Sequence, residues 1–262
     1  MYQTAPVARL LWNRASLTGH APCQLGTAKL AAATVLASTL IYGLVAVGLT
    51  AGISLAALLL VTILGGPVCI WPTPGNGTWQ SICFWSLFRT LNIAALLTVA
   101  WDWGSLELVP IPLRAIAMLA AATGLTLYFR SLASLGPPNT YCRRAGLVER
   151  GIYRWTRNPQ YATVIPAYAG LALAADSGPA LGLIALLAVV YVLMAYAEEP
   201  WLRCAYPGAY ERYARRVPRF YNWRRTRAFL RLRRRRLAPL RRRLAAPAVR
   251  HLAATGLPRK RQ

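Results

Sequence analysis

Arg157, Asn158, Pro159 and Tyr161 stand within one short run, and Glu198 and Glu199 follow beyond an apolar hairpin. A proline at the first helical position, after an extended residue, marks a helix start. The N-terminus of a helix is an anion site, and Arg157 adds a formal charge beside it. That combination suits a carboxylate or a phosphate. The glutamate pair closes an apolar segment, where it opposes the helix dipole; a structural motif would favour Lys or Arg there. Neighbouring helical positions point about 100° apart, so the two carboxylates cannot share one role. One of them can face the hairpin interior and bind a cation or hydroxyls. The competing use is an ion pair with Arg203 or another of the many arginines. Further on, Tyr210, Tyr213 and Val217 fall on one helical face at i, i+3, i+7. A tyrosine stripe of this kind reads as an interfacial anchor.

The elements that position these residues follow from composition. The chain has 262 residues, 56% of them hydrophobic and 15% charged, with a mean hydropathy of +0.36. A soluble domain carries about a quarter charged residues. Apolar runs of about 18 residues or more imply spanning helices, because backbone groups in lipid must be satisfied within the element. The fold class expected is all-α, a polytopic transmembrane bundle with a basic cytoplasmic C-terminal tail.

A formal charge of +24, nearly all of it arginine, attracts nucleic acid or anionic lipid. In a membrane chain the positive-inside bias and headgroup contact account for it, and no specific nucleic acid is expected. The cysteines, Cys23, Cys69, Cys83, Cys142 and Cys204, are odd in number and none has Cys-x-x-Cys spacing. Neither a disulfide framework nor a metal site is suggested.

Residues 1–27 form a mixed polar lead-in without the pattern of a signal peptide, and His20 reads as a surface residue. Residues 28–129 hold four spans, near 30–49, 53–71, 81–101 and 111–129, with a turn at Thr50-Ala51-Gly52 between the first two. Arg89 interrupts the third. It reads either as a functional intramembrane charge or as a side chain that snorkels toward the loop at 72–78. Residues 130–223 carry the chemistry-bearing run, a short span at 161–175 with a break or tilt at Pro166 and Gly170, and a last span at 180–197. Residues 224–262 are an Arg-rich tail, interfacial or disordered. Leu230, Leu237, Leu240 and Leu244 share roughly one face, interrupted by Pro239 and Pro247, so anionic lipid headgroups are its expected partner. With about six spans, the Arg distribution places both termini in the cytoplasm and both motifs on the same side.

The ordered set Leu147-Val148-x2-Gly151-x-Tyr153-x3-Arg157-Asn158-Pro159-x-Tyr161, a hairpin, Glu198-Glu199 and Tyr210-x2-Tyr213-x4-Pro218 resembles the isoprenylcysteine carboxyl methyltransferase / phospholipid methyltransferase family. The resemblance covers residues 146–223. It implies an integral membrane enzyme with S-adenosylmethionine (SAM) bound near the cytoplasmic face and a lipid-like or small hydrophobic methyl acceptor. The set it implies for SAM is Tyr153, Arg157, Asn158, Pro159, Tyr161, Glu198 and Glu199, with Arg157 and Glu199 as the catalytic pair. Asn158 stands where the family usually has His, so an imidazole role is lost and a hydrogen-bonding role survives. Ala162 and Pro207 stand where Gly is common. Membrane sterol or steroid reductases, which use NADPH, share an Asn-Pro-x-Tyr-like motif. The Glu pair and Arg157-Asn158-Pro159 favour the methyltransferase. A non-enzymatic anchor with a lipid-binding tail leaves the Glu pair without a reason. The acceptor stays open among a phospholipid amine, a prenylated thiol-acid and a small apolar thiol or acid.

Overall fold

Helices that are apolar all round belong either in lipid or inside a large core. The computed structural model describes residues 24–65, 70, 79–140 and 145–221, with side chains from residue 32 onward. The lead-in before Gln24 and the expected interfacial helix of the tail lie outside the described residues, as do Cys23, Cys69 and Cys142. The chain divides after Phe220 into two units, and of the second, Tyr221–Gln262, only Tyr221 is described.

Every regular element among the described residues is helical. The main ones are α1 (Gln24–Ile63), α2 (Trp79–Trp101), α3 (Ile111–Leu135), α4 (Pro159–Ala175), α5 (Gly178–Ala205) and α6 (Ala209–Arg216). A single helical turn at Pro137–Thr140 and a 3-10 turn at Gly151–Arg154 lie between α3 and α4. Four helical segments are long and apolar enough to cross a membrane: Ala32–Ile63 of α1, then α2, α3 and α5. Helix α4 has 17 residues, about 26 Å at 1.5 Å per residue and short of a hydrocarbon core. It runs unbroken through Pro166.

The turn expected at Thr50-Ala51-Gly52 is absent, because α1 continues through it. Gly48 and Gly52 serve a different purpose. Ile41, Gly48, Ala51, Gly52, Leu55 and Leu59 form the buried stripe of α1. A Cβ at Gly48 would lie 2.8 Å from Leu183 of α5 and 2.9 Å from Ala94 of α2, and one at Gly52 would collide with Leu186 and crowd Leu91. Gly-x-x-x-Gly in an apolar helix is a close-packing face, and here it lets three backbones approach. These pairs also fix direction. As α1 advances from Gly48 to Gly52, α5 advances from Leu183 to Leu186 and α2 recedes from Ala94 to Leu91. Gly124 and Gly170 do the same between α3 and α4: their Cβ atoms would meet Ala167 at 2.7 Å and the Ala117 carbonyl at 2.8 Å. The five long helices therefore alternate in direction, and α1 starts at the end opposite the one where α5 finishes.

Two polar devices hold the bundle. Within the apolar core, Asn92 of α2 accepts the hydroxyl of Tyr168 on α4 at 2.8 Å and that of Tyr191 on α5 at 3.4 Å. At the α4–α5 turn, Asp176 takes a left-handed conformation, pairs with Arg114 of α3, and accepts the backbone N–H groups of Leu108 and Val109 at 2.9 and 3.1 Å. Asp102 beside it accepts Ser105 and Ser177 at 2.7 and 2.5 Å. Asp176, the acidic residue of the loop at 176–178, is thus neutralised by an arginine of α3.

Candidate active site

The opposite end of the bundle gathers the end of α3, the start of α4, the end of α5 and α6. Pro159 occupies the first position of α4, and Asn158 precedes it with φ −126°. The Asn158 side chain does not cap the helix. Its Nδ2 donates to the Arg219 carbonyl at 3.1 Å, and Thr156 Oγ1 donates to the same oxygen at 3.0 Å. Arg157 N–H donates to the Pro218 carbonyl at 2.9 Å. The run 156–158 is therefore pinned along its length to residues 218–219.

Helix α5 continues through Pro200 to Ala205, so both glutamates sit on a formed helix and their side chains diverge. Glu199 is buried at 5% exposure. Arg219 holds it with Nε and Nη2, each at 2.7 Å, Arg157 lies at 3.2 Å and Arg203 at 3.8 Å. The Arg219 guanidinium also covers the Tyr196 ring, 3.8 Å from its centroid. Hydrogen bonding to Glu199 stabilises the protonated guanidinium and raises its pKa. Glu198, about 100° away around the helix, accepts the Tyr161 hydroxyl instead. Arg157 has a second partner besides Glu199. Its Nη1 donates to Tyr210 Oη at 3.3 Å, and its Nε is buried without a hydrogen-bond partner among the described residues. A buried donor left unpaired costs free energy unless something outside the chain accepts it.

These groups border a cavity of about 330 Å³, within the range of small-molecule sites. Arg157, Asn158, Tyr161, Glu198 and Tyr153 all line it. Glu199 and Pro159 are not among the lining residues: Pro159 starts the helix, and Glu199 holds the arginines from behind. Tyr153 donates to Gln160 Oε1 at 3.0 Å, and its carbonyl accepts Tyr213 Oη at 2.7 Å. Tyr210 and Tyr213 are 1% and 3% exposed, so the stripe read as an interfacial anchor turns inward against Leu147, Leu202 and Tyr206. Burial, with the Glu199 charge adding to it, pushes the Tyr210 phenol up to about 12, and burial also raises Tyr153 and Tyr213. All three stay protonated at neutral pH.

Sequence reasoning missed part of the wall. Trp85, Phe88 and Arg89 of α2, Tyr128 of α3 and Tyr191 and Met194 of α5 also line the cavity. Arg89 carried the one usable signal, a charge in an apolar span; the others are indistinguishable from core aromatics. Arg219 falls within residues 130–223 but no local pattern singles it out among the arginines, although it meets Glu199, Tyr196, Thr156 and Asn158.

Residues 113–209 match the model of the phospholipid methyltransferase family. The match covers α3, the pinned run, α4 and α5, and so takes in Tyr153, Arg157, Asn158, Tyr161, Glu198 and Glu199. It agrees with the resemblance carried by the motifs and supports a membrane methyltransferase. Arg89, Tyr210, Tyr213 and Arg219 lie outside it. No curated protein and no solved structure matches the chain.

Proposed function

We propose that the protein is an integral membrane SAM-dependent methyltransferase acting on a lipid-like or small hydrophobic acceptor. The observation that carries the reading is the pairing of Arg157, with its unpartnered buried Nε, and Glu198 on the wall of one cavity. The donor set fits the cofactor. Arg157 would hold the carboxylate, and Glu198, oriented by Tyr161, would hold the ammonium or the ribose hydroxyls. Tyr153, Tyr191 and Trp201 supply aromatic walls, and Glu199 with Arg219 keeps Arg157 in place. SAM supplies an electrophilic methyl on sulfur. The chain's own contribution is to position cofactor and acceptor in line and to exclude water. Incubating membranes containing the protein with methyl-labelled SAM should give a labelled apolar product. Absence of both labelled product and SAM binding would overturn the reading.

The arginines around the site favour its placement on the cytoplasmic face. A shared side for both termini needs an even number of crossings. We infer five crossings, counting the short α4 with the four longer segments, which would put the start of α1 on the far face and only the C-terminus in the cytoplasm. Reporters at the N-terminus and at residue 105 should then agree with each other and differ from one at the C-terminus. An N-terminal reporter that agrees with the C-terminal one would restore the six-span arrangement.

A further inference from the structure

Arg89 sits within the apolar segment Trp79–Trp101. Its side chain is exposed, and it makes no hydrogen bond or ion pair with any other described residue. An intramembrane arginine of this kind marks a pathway or a ligand, since lipid alone does not solvate it. Its position is specific. Arg89 lines the main cavity, and with Trp85 it also lines a second cleft of about 220 Å³, completed by Ser81, Ile82 and Ser86. Trp85 and Arg89 are thus the wall common to both spaces. The outer rim of the cleft belongs to the lipid side of α2: Ile82 is 64% exposed, and Ile93 and Leu97 continue that exposed face. A side chain that merely snorkelled would lead along the helix to water; Arg89 stands between a cleft on the apolar face and the cavity of the proposed transfer site.

We propose that the cleft admits the methyl acceptor from the bilayer, and that Arg89 binds an oxyanion of that acceptor, a phosphate or a carboxylate, while its hydrocarbon stays against α2. A guanidinium offers two parallel donors to either oxyanion, and the Ser86 hydroxyl lies at the same cleft. The inference rests on the methyltransferase reading for what happens next, but its binding step is independent of SAM. Helix α2 precedes the family-matched residues 113–209, so this contact would be a specificity determinant that the shared segment does not encode.

The test is equilibrium binding of radiolabelled dodecyl phosphate and of radiolabelled laurate to the purified full chain in dodecyl maltoside. Arg89→Gln, Arg89→Lys and the charge control Arg130→Gln are compared with the unaltered protein. The unaltered protein should bind at least one of the two, and the tighter arm identifies the oxyanion. Arg89→Gln should weaken that binding by about tenfold or more, Arg89→Lys should retain part of it because it keeps the charge and loses the fork, and Arg130→Gln should leave it unchanged. The proposal fails if neither anion binds, if Arg89→Gln binds as well as the unaltered protein, or if Arg130→Gln loses as much. SAM binding is measured on the same samples. Its absence from the unaltered protein would remove the methyltransferase reading and leave the oxyanion result standing on its own.

Discussion

The two ends of the bundle use the same chemistry for opposite purposes. At the α4–α5 turn, Asp176 meets Arg114 and two backbone N–H groups, and Asp102 meets two serines. The arginine there also satisfies its Nε on the Val109 carbonyl at 2.8 Å. Nothing at that end lines either cavity. At the other end Glu199 also meets arginines, yet the arrangement closes on one side only. Arg157 keeps an unpaired Nε, and Glu198 gives one of its oxygens to a tyrosine and faces open space. An ion pair that leaves no buried polar atom unpaired reads as structure. A similar pair with one donor left over, beside a cavity, reads as a site built for something not in the chain.

The sharpest way to break this contrast is to alter each end and read both stability and SAM affinity. Arg157→Ala should abolish measurable SAM binding, and Glu198→Gln should weaken it by about tenfold or more, since charged hydrogen bonds contribute about 1.5–3 kcal/mol each. Isothermal titration in detergent reads both. Asp176→Ala should do the reverse. Removing one partner of a buried ion pair costs about 3–5 kcal/mol, so its thermal midpoint should fall while the folded fraction binds SAM with unchanged affinity. Normal SAM affinity in Arg157→Ala, or lost affinity in Asp176→Ala at a temperature where it is folded, would erase the distinction.

Arg219 sharpens the comparison from within the site end. It is a positioning residue, because it reaches the cavity only through Glu199 and the 156–158 run. Arg219→Gln should weaken SAM binding by about tenfold, and Arg219→Lys should recover part of this, because a lysine keeps the charge and loses the two-pronged geometry. Ending the chain after Arg225 should leave SAM binding intact, whereas ending it after Val217 should mimic Arg219→Gln or exceed it. Equal binding by all four chains would show that Glu199 is held well enough by Arg157 and Arg203.

What the sequence revealed of this arrangement depended on range. The glutamate pair was visible because it conflicts locally with the helix dipole, and the divergence of its two roles was visible from helical geometry. Which glutamate faces the cavity was not. That depends on α5 running on through Pro200 and on Arg219, brought back from beyond α6. The length of the apolar run favoured a turn at Thr50-Ala51-Gly52, and the packing role of Gly48 and Gly52 shows only in the contacts they make with α2 and α5. The structure replaces that turn with one continuous helix. The Arg114–Asp176 pair joins two loops by a long-range contact that no local pattern announces. Tyr210 and Tyr213 had the spacing of a face, and only packing against Leu147 and Leu202 decides whether that face meets lipid or protein.

The smallest expected effect concerns Asn158, where the family resemblance and the structure can be set against each other. The residue is 4% exposed, and its structural duty is one donated hydrogen bond to the Arg219 carbonyl. A neutral histidine carries a ring N–H that can take over that donation, so Asn158→His should change SAM affinity by no more than about threefold and stability by about 1 kcal/mol or less. Asn158→Asp offers the same size without the donor and places a carboxylate against a carbonyl oxygen. It should behave like a mild Arg219→Gln, because the segment that carries Arg219 loosens from the 156–158 run. Asn158→Leu also removes the donor but adds no charge, and it should fall between the two. If histidine and aspartate prove equally harmful in SAM titrations, the Asn158 side chain, which already lines the cavity, meets the cofactor directly rather than acting through Arg219.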